Sequence, residues 1–481
     1  MTSARPAVVV AVDLGATSGR VIVGHVGPHE LRLRHVARFG NEPVRTRDGL
    51  HWNLLELYRQ VLGGLASAQR GAAHDGGLDG VGIDSWAVDY GLLRDGRLLG
   101  VPYHYRDART SSGVEAVRAR VDPAELYRRN GLQHLPFNTV FQLATEGELL
   151  AVADRLLLVP DLLAYWLTGA QVAERTNAST TGLLDARTRE WDVVLAADLG
   201  VPATLLPPLV DPGARLGALT PDVADVVGAA LPVTAVGSHD TASAVVAVPS
   251  VARDVAFVSC GTWGLVGLEL DEPVITEGAR LAGFTNEGGV DGRTRFLHNV
   301  MGLWLLSESV RTWERSANAA QRSATLAELL DEAAAVTTPV PVFDVDDPRF
   351  LPPGDVPARI ADWCTEHDVR APRTRGEVVR SIVESLAQAF ADTVGAAVRL
   401  AGQRVTAIHV VGGGAQNALL CQATADRSGL PVLAGPVEAT AIGNVLVQAR
   451  SLGAVEGDLE DLRDLVARTF APVRYTPSGP R

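Results

Sequence analysis

One pattern restricts the fold more than any other, because it occurs once near the start of each half of the chain. The run AVVVAVDLGATSGRVIVGHV has an apolar segment, a turn of small residues and a second apolar segment, and VAFVSCGTWGLVGLEL repeats this plan. Gly15 and Gly261 mark the two turns, about half the chain length apart. Such a repeat predicts two related domains that face each other across a cleft. The plan also recurs by chance in α/β proteins, so the turns alone leave both interpretations open.

Short β-branched runs bounded by glycine or aspartate predict strands throughout the chain, and segments of helical spacing alternate with them. The runs PAVVVAVD, RVIVGHV and LRLRHVARF predict an antiparallel meander. The expected helices are Leu54–Gln69, Ala124–Asn130, Asp161–Leu167, Asp192–Leu199, Glu377–Ala401 and Ala418–Ser428. The Pro-rich stretch Leu205–Gly217 predicts a loop. We therefore expect an α/β protein. Its 481 residues are too many for a single hydrophobic core, so we expect two domains, residues 1–248 and 249–481.

Charge and composition exclude several classes of protein. The net charge of −13 argues against nucleic acid or an anionic membrane as a partner. The apolar runs fall short of the roughly 20 residues that cross a bilayer, so we expect a cytoplasmic protein. The sequence contains no lysine, and its 43 basic residues are all arginine. A GxxxxGK phosphate loop is therefore impossible. The three cysteines are far apart, which favours buried thiols over a zinc site or disulfides.

Three glycine turns are candidates for phosphate or nucleotide contact, namely DLGATSGR, SCGTWG and VVGGGAQN. In the first, Asp13 ends a buried strand and would repel phosphate unless a divalent cation lies between them. Mg²⁺ commonly keeps its waters and accepts such a carboxylate through them. In the third, glycines would let an adenosine approach the backbone closely. Each turn is common on its own.

The stretch VGSHDTASAVVAV places Asp240 between two apolar runs. An acid at the start of a helix is often only a cap for unpaired N–H groups, although Ser238 could do this alone. The alternative is a general base at the end of a strand, whose charged form the helix N-terminus favours. The local sequence permits both roles.

Taken together, these segments resemble the FGGY family of carbohydrate kinases over nearly the whole chain. The resemblance is carried by AVDLGATSGRV, GIDSWAVDYGLL, YRDART, LPFNTVFQL, SHDTASAV, SCGTWGL, FTNEGGVDGR, HNVMGLWLL, VVGGGAQNALLCQATAD and AGPVEATAIGN. The segments SHDTASAV, LPFNTVFQL and NVMGLWLL are typical of the branch that acts on L-rhamnulose. The resemblance implies two actin-like (ribonuclease H-like) ATPase domains, related by duplication, with a cleft between them. The N-terminal domain would bind the sugar and carry the base, and the C-terminal domain would bind ATP.

The resemblance also implies ATP-dependent phosphorylation of L-rhamnulose at its 1-hydroxyl, with Mg²⁺ required. Asp240 would be the general base, and the substrate-binding residues would be Ala87, His239, Asp240, Thr241 and Asn299. The nucleotide would contact Ala16, Thr17, Ser18, Gly19, Arg20, Thr262, Ser307 and Gly413. Asp13 would hold the metal through water. Two positions depart from the pattern, since the resemblance would put glycine at Ala87 and glutamine at Ser307, and Ala87 leaves the exact sugar open.

Several alternatives remain at the sequence level. L-fuculose, L-ribulose and D-xylulose are other candidate substrates, and a non-enzymatic ATP-gated sugar sensor is a different class. Asp84 and Asp89 could bind sugar hydroxyls or serve as turn residues. Trp86 could stack on a sugar or pack in the core. Arg109 could hold sugar hydroxyls or form a salt-linked strut. We expect a monomer or homodimer.

Overall fold

The three-dimensional structure is a computed structural model that describes residues 5–316 and 325–479. These residues form twenty strands. The strands are β1 (Ala7–Leu14), β2 (Ser18–Gly27), β3 (Glu30–Gly40), β4 (Val44–Arg45), β5 (Leu50–His51), β6 (Gly80–Ser85), β7 (Tyr90–Arg94), β8 (Arg97–Leu98), β9 (Arg155–Leu158), β10 (Ala173–Glu174), β11 (Leu209–Val210), β12 (Arg215–Ala218), β13 (Pro232–Thr234), β14 (Val255–Cys260), β15 (Trp263–Leu270), β16 (Thr285–Gly288), β17 (Thr294–Met301), β18 (Ala407–Val411), β19 (Val432–Ala434) and β20 (Val473–Tyr475).

The same residues form eighteen α-helices. The helices are α1 (Leu54–Gly71), α2 (Thr110–Arg118), α3 (Pro123–Asn130), α4 (Thr139–Leu143), α5 (Leu149–Val152), α6 (Val159–Thr168), α7 (Arg175–Ala178), α8 (Val193–Asp198), α9 (Pro221–Val227), α10 (Asp240–Val246), α11 (Glu277–Leu281), α12 (Trp304–Ser316), α13 (Leu326–Ala334), α14 (Val356–Glu366), α15 (Arg375–Ala401), α16 (Ala418–Ser428), α17 (Ala439–Ser451) and α18 (Leu459–Thr469). None of the helices in the described ranges is long and apolar enough to cross a bilayer.

The chain forms two compact units. The first contains the chain up to Val251 together with Glu269–Phe296 and Glu438–Phe470. The second contains Ala252–Leu268, Leu297–Val437 and the chain from Ala471 onward. Segments far apart in sequence therefore complete each unit. The predicted domains, 1–248 and 249–481, are continuous stretches of sequence, whereas each unit combines several stretches. The predicted boundary at residue 248 therefore stays a prediction.

The first unit contains a six-stranded sheet with the order β12–β13–β6–β1–β2–β3. As expected, β1, β2 and β3 form an antiparallel meander. Strand β6 pairs parallel with both β1 and β13. All eight residues of β1 are buried, because the strand has a neighbour on each side and both α1 and α17 pack against it. This explains why its sequence is a continuous apolar run and not an alternating one.

In the second unit, a sheet runs in the order β17–β15–β14–β18–β19–β20. Strand β14 pairs antiparallel with β15 and parallel with β18, as β1 does with β2 and β6. Strand β18 pairs parallel with β19, as β6 does with β13. The shared order and pairing favour a true internal repeat over chance recurrence of a glycine turn.

The predicted helices are present, with ends that follow capping rules. Helix α15 begins after Thr374, whose side chain accepts a hydrogen bond from the N–H of Glu377. Its last residue is Ala401, and Gly402, with φ of 63°, caps the C-terminus. The predicted loop Leu205–Gly217 is wrong in part, because β11 and the start of β12 lie within it. These strands are two and four residues long, too short to produce a detectable alternation of apolar and polar residues.

Gly443 allows α17 to approach α10 closely within the first unit. A Cβ at this position would lie 1.8 Å from the carbonyl oxygen of Ser243. We expect Gly443→Ala to lower the free energy of unfolding by about 3 kcal/mol, because two helix backbones must separate. Urea denaturation measures this effect. The matched control is Gly395→Ala in α15, where a Cβ would meet only an arginine side-chain nitrogen at 3.4 Å. A loss no larger than that of the control would contradict the packing argument.

Candidate active site

Asp240 is the first residue of α10, which follows the loop after β13. His239 holds the N-cap position, and among the described residues no side chain makes a capping hydrogen bond there. The cap interpretation of Asp240 is therefore wrong, and so is the suggestion that Ser238 caps this helix. The Asp240 side chain is 31% exposed, whereas Ser238 and His239 are buried. Asp240 is thus the member of this motif that a small molecule can reach.

Two groups contact the same carboxylate oxygen of Asp240. The hydroxyl of Thr241 donates a hydrogen bond to Oδ1 at 3.1 Å. Nε2 of His239 lies 3.5 Å from Oδ1. These contacts orient the carboxylate and place the predicted residues 239–241 together at the start of α10.

Glu174, at the end of β10, fixes the loop that carries this motif. Its Oε2 accepts hydrogen bonds from the backbone N–H of Ser238 at 2.9 Å and from the Ser238 hydroxyl at 2.7 Å. Thr176 donates its N–H and its hydroxyl to the same carboxylate, and its hydroxyl accepts from the N–H of His239 at 3.3 Å. Burial raises the pKa of Glu174, and these hydrogen bonds oppose that rise. A buried carboxylate thus determines the backbone position just before Asp240.

The turn between β1 and β2 contains the predicted phosphate-binding residues. The N–H of Gly15 donates to the carbonyl of Ser18 at 2.9 Å, and Asn41 donates its side-chain amide to the carbonyl of Gly15 at 2.9 Å. Thr17 is exposed at the tip of the turn. The antiparallel register places Arg20 directly opposite Asp13. Side chains of such pairs lie on the same face of the sheet, so the arginine and the acid are neighbours.

Arg20 connects two carboxylates. Its Nη1 lies 2.8 Å from Oε2 of Glu438 and 3.4 Å from Oδ2 of Asp13. Glu438 directly precedes α17 and belongs to the first unit although it comes late in the sequence. The guanidinium is only partly buried, so it is accessible as well as oriented.

Three acids from three segments converge near this turn. The parallel register of β1 and β6 puts Asp84 opposite Asp13. The N–H of Ser85 donates to the carbonyl of Ser238 at 2.9 Å, which brings the loop before Asp240 alongside the end of β6. Asp84 is fully buried, and its Oδ2 accepts a hydrogen bond of 2.6 Å from Asn444. Asp84 is therefore an interior residue and not an exposed ligand for sugar hydroxyls.

The electrostatics of these acids show an excess of negative charge. Burial raises the pKa of Asp13 to about 6, and the charges of Asp240 and Glu438 add to the rise, against the effect of Arg20. Burial also raises the pKa of Asp84 well above its usual range, with a further contribution from Asp13. Within residues 5–316 and 325–479, no group of three or more His, Cys, Asp or Glu side chains is arranged to hold a metal ion directly.

The segment around Ala87 has an unusual backbone. Val88 has φ of 68°, a conformation that is rare for a β-branched residue. The N–H of Asp89 donates to the carbonyl of Ala87 at 2.9 Å, and the hydroxyl of Thr139 donates to the carbonyl of Val88 at 2.6 Å. Thr139 belongs to the motif LPFNTVFQL, so this motif supports the turn at residue 88. The strained turn sets the position of Ala87, which is partly buried.

Asp89 is a structural hydrogen-bond acceptor. It is buried and accepts from the indole N–H groups of Trp52 at 2.5 Å and Trp86 at 3.0 Å, and from Gln142 at 2.8 Å. Burial raises its pKa to about 6, against these hydrogen bonds. The indole of Trp86 packs against that of Trp52, with ring centroids 4.0 Å apart. The core interpretation of Trp86 is therefore the better one, and the partners of Asp89 favour a structural role over a sugar ligand.

Arg109 forms the strut that was one of its two predicted roles. Its Nη1 lies 2.9 Å from Oε1 of Glu146 and 2.9 Å from the hydroxyl of Thr145. The Tyr90 hydroxyl donates to the same glutamate oxygen at 2.6 Å. These partners bind the guanidinium within the first unit.

The remaining predicted residues belong to the second unit. Thr262 lies in the turn between β14 and β15, and its carbonyl accepts from the N–H of Trp304 at 3.2 Å. Ser307 is exposed on α12, the helix that begins at Trp304, and Asn299 is partly buried on β17. Gly413 is exposed in the turn after β18. This turn packs against β14, since a Cβ on Gly412 would lie 3.1 Å from the carbonyl oxygen of Cys260.

Comparison with known proteins identifies the family. Residues 8–247 match the N-terminal domain of the FGGY family of carbohydrate kinases, and residues 256–452 match the C-terminal domain. The chain belongs to this family and is a carbohydrate kinase. Kinases of this family use ATP as a substrate.

Two curated relatives are rhamnulokinases. The protein is 40% identical over 474 residues to that of Bacteroides thetaiotaomicron, which covers 97% of this chain and 95% of the relative. It is 42% identical over 477 residues to that of Pectobacterium carotovorum subsp. carotovorum, covering 98% and 93%. The crystal structure of gluconate kinase from Lactobacillus acidophilus superposes with a TM-score of 0.78 over 98% of this chain and 94% of that one, at 16% identity. This likeness confirms the predicted two-domain actin-like fold.

Sequence reasoning did not single out Glu174, Glu438 or Asn444, which support the predicted site residues. Glu438 and Asn444 lie within AGPVEATAIGN, a segment that carries the family resemblance. The sequence therefore marked this segment as important but did not indicate what either residue does. Glu174 lies in no such segment, and its neighbours AERTNAS are ordinary helix-start residues. Only the fold brings it to residue 238.

The hydrogen bonds of Glu174 lead to a prediction about stability. In Glu174→Gln, the amide nitrogen cannot accept, so at least one buried N–H or O–H donor loses its partner. We expect the free energy of unfolding to fall by about 2 to 4 kcal/mol, as measured by urea denaturation. The matched control is Glu190→Gln, whose carboxylate is 62% exposed and pairs with Arg175 at the surface. Equal losses in the two variants would show that Glu174 does not hold the loop.

Proposed function

We propose that this protein transfers the γ-phosphoryl group of ATP to the 1-hydroxyl of L-rhamnulose, giving L-rhamnulose 1-phosphate and ADP. Similarity to two rhamnulokinases over nearly the full length supports the substrate. The observation that carries the chemistry is the carboxylate of Asp240, which is partly exposed, oriented by Thr241 and mounted on a fixed loop. A general base needs this combination of access and orientation.

Asp240 acts as the general base in this proposal. The proton of the 1-hydroxyl passes to the Asp240 carboxylate while the hydroxyl oxygen bonds to the γ-phosphorus. The bond from that phosphorus to the bridging oxygen breaks, and ADP leaves with the electron pair. His239, Thr241 and Asn299 hold the sugar beside the base, and Ala87 borders it. Proximity and orientation supply much of the acceleration in such transfers.

The phosphates of ATP bind to the turn Ala16–Arg20. Its backbone amides and the hydroxyls of Thr17 and Ser18 donate to phosphate oxygens, and Arg20 supplies the positive charge that lysine supplies in other nucleotide loops. Thr262 contacts the phosphates, Gly413 lies against the nucleoside, and Ser307 contacts the nucleotide directly or through water. Arginine suits this role because it stays protonated and presents several donors.

The donor set around Asp13 fits a bound Mg²⁺. The pKa of Asp13, about 6, is raised by burial and by neighbouring negative charges that a dication would balance. Asp13 would hold the ion through water, as Mg²⁺ often requires. When bound, the ion neutralises phosphate charge. Location in the cytoplasm and a monomeric or homodimeric state remain predictions from the sequence.

Replacing the base should separate chemistry from binding. We expect Asp240→Asn to lower kcat by about 10² to 10⁴, because the carboxamide cannot take the proton. The dissociation constant for L-rhamnulose, measured by calorimetry, should change by less than about threefold, since size and shape are kept. Unchanged turnover with normal sugar binding would show that Asp240 is not the base.

The substrate is tested with a panel of ketoses. We expect kcat/KM for L-rhamnulose to exceed that for L-fuculose, L-ribulose and D-xylulose by at least about tenfold, a difference of roughly 1.4 kcal/mol. An ADP-coupled assay at saturating ATP provides the measurement. Preference for another ketose would refute the proposed substrate but keep the kinase, whereas sugar binding without ADP production would favour the sensor alternative.

A further inference from the structure

A buried ion pair lies behind His239, on the side of its ring away from Asp240. Glu287 is on β16, and Arg295 is on β17. Nη2 of Arg295 lies 3.2 Å from Oε2 of Glu287, and both residues are buried, Arg295 with 0% exposure. Nε of Arg295 also donates to the carbonyl of Gly288 at 2.9 Å. All of these residues and His239 belong to the first unit.

Both members of the pair contact the same ring nitrogen. Nδ1 of His239 lies 3.0 Å from Nη2 of Arg295 and 3.2 Å from Oε2 of Glu287. Nε2, the other ring nitrogen, lies 3.5 Å from Oδ1 of Asp240. The imidazole therefore bridges a buried ion pair and the carboxylate that acts as the base.

These partners restrict where the hydrogens of the ring lie. A guanidinium only donates, so a neutral His239 that accepts from Arg295 at Nδ1 must carry its hydrogen on Nε2. A cationic His239 donates to Glu287 from Nδ1 and again has a hydrogen on Nε2. The third form, neutral with hydrogen on Nδ1, would face a bare nitrogen toward the carboxylate of Asp240. In both favoured forms, Nε2 is a donor toward Oδ1.

We propose that Glu287 and Arg295 are positioning residues for phosphoryl transfer, which fix His239 so that its Nε2–H faces Oδ1 of Asp240. Thr241 donates to the same oxygen. Because the Thr241 hydroxyl is bonded to Oδ1 and the imidazole N–H faces the same oxygen, the other oxygen, Oδ2, takes the proton of the sugar hydroxyl. This inference rests on the proposed function, because it assigns a role to groups around the proposed base.

The chain offers a matched control for testing the pair. Arg463, which is buried, and Glu269, which is partly buried, form a second ion pair in the first unit, with Nη1 to Oε2 at 2.7 Å. Arg463 also donates to the carbonyl of Val245 at 3.0 Å, near the far end of α10. Removing this pair therefore disturbs the same helix without touching His239.

The experiment compares two double variants that remove both charges of a pair, because a single replacement would leave one charge buried and unpaired. In Arg295→Met with Glu287→Gln, we expect kcat to fall about 10- to 100-fold and KM for L-rhamnulose to rise, with KM for ATP changing by less than twofold. In Arg463→Met with Glu269→Gln, all three constants should stay within about threefold at a comparable thermal midpoint. Equal kinetics in the two variants would overturn the inference.

A milder pair of variants covers the case in which the double variant does not fold. Glu287→Asp keeps the charge but withdraws the carboxylate from Nδ1, and we expect kcat to fall at least about fivefold, against less than twofold for Glu269→Asp. Equal values would again overturn the inference. Asp240→Asn is measured alongside. If that variant keeps full turnover, the proposed base is wrong, whereas an inactive Asp240→Asn with no effect at residue 287 refutes the positioning role alone.

Discussion

The parallel pairing of β1 with β6 places two buried carboxylates, Asp13 and Asp84, side by side, and much of the site follows from this contact. Burial and like charge both disfavour the ionised forms, which is why the pKa values of both groups are raised. Arg20 and Asn444 offset part of this cost through an ion pair and a hydrogen bond. The remaining negative charge is what the proposed Mg²⁺ would balance. Perturbed carboxylates of this kind are typical of functional sites.

Around these acids, a layer of buried polar residues sets the position of the loop before α10. Glu174 binds Ser238 from one side, and Glu287 with Arg295 contacts the ring of His239. Asp240 itself stays partly exposed. This division is physically reasonable, because a base must be reachable while the groups that orient it gain strength from exclusion of water. The absence of lysine from the chain fits the same design, since a buried guanidinium keeps its charge where an ammonium is easily neutralised.

The sequence predicted the strands well where burial is continuous. The apolar runs of β1, β2 and β14 were clear, and their repetition in the two halves correctly indicated a duplicated fold. The motif around Asp240 was also recognised, together with the turn at residues 16–20. The sequence also allowed Asp240 or Ser238 to cap α10, and the structure shows that neither does. A short polar residue at the start of a helix has the same local pattern whether it caps the helix or bonds elsewhere. Ser238 bonds to Glu174, sixty-four positions earlier in the chain, and local patterns contain no information about such a partner.

By itself, the sequence determined the fold class, the repeat, the family and the residues of the three glycine turns, because these depend on local periodicity and on contiguous motifs. Only the tertiary structure decided that Asp84 is buried and that Asp89 and Arg109 bind other side chains of the protein. It also decided that Glu438 forms an ion pair with Arg20. It also decided which side of His239 faces the buried ion pair. The physical reason is that these roles depend on strand register and on contacts between segments that lie tens to hundreds of residues apart, from 37 positions for Trp52 and Asp89 to 418 for Arg20 and Glu438. A shift of one position in the register of β1 and β6 would separate the two acids without changing either local sequence.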